Sequence, residues 1–110
     1  MGAERRGERA RRLAVSYAAL LEAGEWRPIP GCPGRSVLQR AARIRPEDLV
    51  GAGARLERFE VAGARDPVLV APVEGGGLIS YAKGDGRFVH TLNTPEGFAR
   101  KLAQLGIELA

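Results

Sequence analysis

The last third of the chain alternates and then turns helical in a pattern that reads without a gap. Leu78–Ile79–Ser80–Tyr81–Ala82–Lys83 and Arg87–Phe88–Val89–His90–Thr91–Leu92 are runs of aliphatic, aromatic and β-branched residues, which favour strands. Gly84–Asp85–Gly86 lies between them, and glycine there supplies the positive φ of a tight hairpin turn. Asn93–Thr94 stops the second strand. Thr94 is placed to cap a helix, Pro95 suits its first turn, and Glu96 suits its positive end. Phe98, Leu102 and Leu105 then share one helical face. Gly106 fits the left-handed position past the helix, with Ile107 folding back on Leu102 in a Schellman stop.

The earlier pattern is more broken. Leu13, Tyr17, Leu20 and Leu21 share a face, which predicts a helix from about Glu8 to Ala23, stopped by Gly24. Residues 1–7 are expected to fray. Trp26–Arg27–Pro28–Ile29–Pro30–Gly31–Cys32–Pro33–Gly34 holds three prolines, which remove amide donors and fix φ. It is expected to be a stiff, extended loop anchored by Trp26 and Ile29, wrapping the core or presenting a binding surface. Ser36–Ala41 reads as a short strand, and Arg45–Val50 as a single helical turn with proline first. Glu57–Val61 alternates as a half-exposed strand does, with Phe59 and Val61 on one side.

Val68–Leu69–Val70–Ala71–Pro72–Val73 is different in kind, being apolar at both parities. A strand that does not alternate is usually covered on both faces. Pro72 is expected to end it, to lie on an edge, or to mark a bulge. Together these elements predict a single α+β domain over residues 1–110, with its core at about 8–109. Its antiparallel sheet would have four or five short strands, with the N-terminal and C-terminal helices packed on one face. The doubly apolar strand would then need a second cover, either the Trp26–Gly34 loop or another copy of the chain. Hence a homodimer is expected.

Composition changes this picture little, but charge adds to it. The formal charge is +4. Residues 1–12 hold Arg5, Arg6, Arg9, Arg11 and Arg12 against Glu4 and Glu8, a local +3, while the remainder is nearly neutral. That arm, with Arg100 and Lys101 on the wet side of the last helix, is the candidate surface for weak nucleic-acid contact. Lys83 and Arg87 would join it only if the fold gathered them. Aromatic residues interleaved with the basic ones, as single-strand binders have them, are lacking.

Chemistry-bearing motifs are few. Gly51–Ala52–Gly53–Ala54–Arg55–Leu56 begins like a dinucleotide fingerprint, but its sixth position is Leu and no strand-to-helix transition surrounds it. Gly75–Gly76–Gly77 precedes a strand rather than a helix, so it cannot present helical amides to phosphate. Cys32 lacks the arginine six positions on that a cysteine phosphatase loop needs, since residue 38 is Leu. One Cys and one His exclude an internal disulfide and a four-ligand Cys/His zinc site. No cofactor is expected.

His90 is the only imidazole. A two-residue hairpin turn would set Tyr81 opposite it, and a three-residue turn Ser80. Either pair could support acid–base chemistry, yet no carboxylate stands at a spacing that would orient the ring. No stretch is long enough to span a bilayer, and a cytoplasmic location is expected. The leading functional expectation is a small non-enzymatic, self-associating binding module. A nucleic-acid-binding protein comes second, and an enzyme centred on His90 third.

Overall fold

A computed structural model describes residues 15–40 and 42–109. In chain order the elements are α1 (Tyr17–Ala23), β1 (Trp26–Pro28), β2 (Arg35–Leu38), α2 (Pro46–Val50) and β3 (Glu57–Phe59). Then follow β4 (Val68–Val73), β5 (Gly76–Ala82), β6 (Phe88–Asn93) and α3 (Pro95–Leu105). The α+β class stands. All neighbouring strands are antiparallel, in the order β1-β2-β6-β5-β4-β3.

The sheet has six strands rather than the expected four or five. The additional one is β1, hidden from sequence by Pro28 within it and Pro30 just beyond it. It is an edge strand, and Pro28 is tolerated at an edge because no further strand needs its missing donor. The expected Trp26–Gly34 loop therefore begins only after Pro28. Pro72 lies within β4, opposite Gly77, and β4 ends one residue later. β3 reaches only as far as Val70, so one flank of β4 has no neighbouring strand at Pro72. The helix expected over Glu8–Ala23 starts, among the described residues, at Tyr17. Ser16 caps it, accepting from the Ala19 amide at 3.0 Å. Residues 8–14 lie outside the described ones.

The layers also differ from the expected arrangement. Leu78 packs with Leu20, Val50, Ala71, Val73 and Leu92, while its neighbour Ile79 packs with Val68, Val70, Phe98, Leu102 and Ile107. Successive side chains of a strand point to opposite faces, so these two clusters lie on opposite sides of the sheet. Leu20 belongs to α1 and Val50 to α2, whereas Phe98 and Leu102 belong to α3. The terminal helices thus do not share a face. The apolar parities of β4 are both satisfied within the chain, Val68 and Val70 under α3, Ala71 and Val73 under α1 and α2.

The last third folds as its local signals dictate. Thr94 Oγ1 accepts from the Gly97 amide at 3.2 Å, and Pro95 takes the first helical position. Gly106 is left-handed at φ +72°, and the Ile107 amide donates to the Leu102 carbonyl at 2.9 Å. This is the Schellman stop, and it buries Ile107. A Cβ on Gly77 would overlap the Phe98 ring, so glycine there lets α3 sit directly on β5. Leu102 is 9% exposed, and Leu102→Ala is expected to cost about 2–5 kcal/mol on chemical denaturation. A loss within about 0.5 kcal/mol would be that of a surface position and would make α3 peripheral.

Candidate functional site

The hairpin places Ser80, not Tyr81, opposite His90, and Tyr81 opposite Val89. This is the three-residue turn, in which Asp85 takes φ +65° and the Lys83 amide donates to the Arg87 carbonyl at 2.8 Å. His90 and Ser80 are both 0% exposed. The His90 Nε2 lies 2.6 Å from the Ile44 carbonyl oxygen. A carbonyl can only accept, so Nε2 carries the proton. In the neutral ring Nδ1 is then the acceptor of the Ser80 hydroxyl, 2.7 Å away. Phe88 stacks against the ring, with centroids 5.7 Å apart and planes 14° apart.

Desolvation lowers the His90 pKa below the ordinary imidazole value, while the Ile44 carbonyl pulls the other way. The ring therefore works as a neutral pin. β2 ends at Leu38, and beyond it two backbone carbonyls, those of Ala42 and Ile44, meet β6. There Phe88 donates its amide to the Ala42 carbonyl at 2.8 Å, and His90 holds Ile44. Both imidazole nitrogens are occupied, neither by a carboxylate.

A different cluster forms on the other face, where the loop after β1 meets α3. That loop is closed by its own backbone. Ile29 N donates to Arg35 O at 3.0 Å, Cys32 N to Ile29 O at 3.1 Å, and Arg35 N to Cys32 O at 3.2 Å. It can lie close to the helix because position 97 is glycine, where a Cβ would stand 2.7 Å from the Gly34 carbonyl oxygen. Arg100 Nη1 then donates to the Pro33 carbonyl at 3.3 Å. Arg35 opens β2 and faces the same way as Thr91 and Asn93, the residues beside it on β6. Its Nε donates to Asn93 Oδ1 at 2.6 Å and its Nη2 to Thr91 Oγ1 at 3.1 Å. Asn93 is fixed in turn, its Nδ2 donating to the Gly77 and Thr91 carbonyls at 3.1 and 3.0 Å.

Arg35, Arg100 and Lys101 line one small cleft of about 60 Å³, together with Cys32, Gly97 and Gln104. Among the described residues the ion pairs are Arg45–Glu47, Arg55–Glu57, Arg58–Glu60 and Lys83–Asp66. None involves the three cations of the cleft. A shallower groove of about 380 Å³ flanks the other side of the loop, between Tyr17, Ile29 and Ser36.

The structure brings together only part of the expected basic surface. Arg100 and Lys101 meet in the cleft. Lys83 is paired with Asp66 at 2.7 Å, and Arg87 precedes β6, at the opposite end of that strand from Asn93. Arg5, Arg6, Arg9, Arg11 and Arg12 lie outside the described residues. Sequence reasoning missed Arg35 as a site residue. Its signal was a lone charge opening an otherwise uncharged strand, but its partners stand more than fifty positions away on β6. Compared with known proteins, the chain matches no family model, no curated sequence and no solved structure. Among the described residues, no group of three or more His, Cys, Asp or Glu could hold a metal ion, and no helix is long and apolar enough to cross a membrane.

Proposed function

We propose that this protein is a small non-enzymatic binding module that takes an anionic partner where the Ile29–Gly34 loop meets α3. The observation that carries the reading is the convergence of Arg35, Arg100 and Lys101 on one cleft with no carboxylate of the described residues paired to any of them. Surface cations elsewhere, such as Arg45, Arg58 and Lys83, have acidic neighbours. The enzyme reading is weakened by the same chain. Its imidazole and facing hydroxyl are sealed from solvent and committed to each other and to Ile44. Self-association loses its first motive, since the face expected to be bare carries a helix.

Nucleic acid is the second reading, favoured by Arg100 and Lys101 standing together beside Arg35. A salt-dependent titration of duplex DNA separates the two. Three phosphate contacts from the cleft give a slope of about −2.7 in log K against log salt. Charge reversal at Arg100→Glu and Lys101→Glu is expected to remove most of that slope and to leave the fold intact. Binding that is tight at physiological salt and lost on deletion of residues 1–12 would instead put nucleic acid first, through the N-terminal arm.

A further inference from the structure

We infer that the cleft is a phosphate site, in which Arg35, Arg100 and Lys101 together hold one phosphate group of a phosphate ester. This rests on the anion-binding reading above and names the anion.

Arg35 is the centre of the site. A guanidinium has five N–H donors in a rigid fork. Two of them are used on Asn93 and Thr91, both neutral, so the side chain is held in place without its charge being met by any carboxylate among the described residues. A half-buried cation with no counterion is costly in a medium of low dielectric, and an entering anion relieves that cost. Arg35 lines the cleft with three of its N–H donors not used in these two bonds. Arg100 uses one N–H on a backbone carbonyl, and Lys101 makes no hydrogen bond to the described residues.

Shape and charge select phosphate over carboxylate. Arg35 reaches in from the sheet, whereas Arg100 and Lys101 come from successive helix positions about 100° apart. Donors arriving from directions that are not coplanar suit a tetrahedral oxyanion better than a flat one. The guanidinium fork matches two oxygens of a phosphate. Three positive charges are met more fully by a dianion than by a single carboxylate. A volume of about 60 Å³ is several times the ~10–15 Å³ that one water needs. That holds one phosphate group, with the rest of the ester outside.

The test is a titration of the full chain with inorganic phosphate at constant ionic strength, followed by NMR. The signals read are the amides of residues 31–35 and 100–104 and the Arg35 Nε–H. Saturable shifts at these groups are expected, with acetate at least tenfold weaker. Arg100→Gln with Lys101→Gln is expected to weaken phosphate at least tenfold. Neither side chain belongs to the apolar core under α3, so folding is preserved, unlike Arg35→Gln, which also strips hydrogen bonds from β6. Adenosine monophosphate and a single-stranded oligonucleotide, compared per phosphate, distinguish a terminal monoester from a nucleic-acid backbone. Either result supports a phosphate site. Equal response to acetate and phosphate would overturn the phosphate assignment and leave the anion-binding reading standing. No response of these groups to any anion would overturn both.

Discussion

Truncating Leu78 to alanine and truncating its neighbour Ile79 to alanine are each expected to cost the fold about 2–5 kcal/mol. Both side chains are 0% exposed, yet they belong to different clusters. Leu78 closes the core under α1 and α2, and Ile79 closes the core under α3. Adjacent residues of a strand point to opposite faces, so a sheet with one wet side would tolerate one of the two changes within about 0.5 kcal/mol. Urea denaturation of both variants measures this directly. Comparable large losses are the signature of a three-layer domain, and one near-silent variant would contradict it.

His90→Ala is expected to cost about 3–5 kcal/mol, because it removes a fully buried ring and strands two polar groups. The Ser80 hydroxyl and the Ile44 carbonyl lose their partners together. The same ring predicts a pH dependence. Its folded pKa is lowered by burial, while the unfolded chain titrates near the ordinary value of about 6.5. Above that value both states are neutral and the stability is fully present. As pH falls from about 6.5 toward the lowered folded value, the unfolded chain binds the proton more readily, and stability is lost. The slope is at most about 1.4 kcal/mol per pH unit for one group. Stability measured at steps between about pH 7.5 and 5.5 should show this limb in the wild type and not in His90→Ala. A flat profile in both would mean that the folded ring titrates as the unfolded one does, and stability rising as pH falls would mean that it is charged when folded.

The C-terminal third was legible because its signals are local. Thr94, Pro95 and Gly106 each act within a few residues, and the structure places each where its chemistry requires. Doubly apolar Val68–Val73 correctly announced a strand covered on both sides. What covers it was not legible. The face that α3 chooses depends on how β6 hands the chain over to Thr94, and Gly77 opposite Phe98 is a contact across twenty-one positions. β1 was missed because Pro28 and Pro30 argue against a strand, and only its edge position makes the first of them harmless.

The site divides in the same way. Lys101 and Arg100 were visible as the polar side of a periodic helix. Arg35 was not, since its role comes from Asn93 and Thr91, which read as a strand stop and a strand residue. His90 drew attention as the only imidazole, but its second partner, the Ile44 carbonyl, is a backbone atom 46 positions away. No pattern of side chains encodes such a bond.

The most direct test of the account is an NMR footprint of a heparin-derived oligosaccharide on the isotope-labelled full chain. Heparin serves here as a polyanion of no particular sequence, so its footprint reports where the protein receives negative charge. The cleft reading predicts the largest shifts at residues 31–35 and 100–104, with the Arg35 Nε–H among them and with Ser80 and His90 unmoved. A footprint confined to residues 1–12, or centred on the Lys83–Arg87 turn, would contradict it.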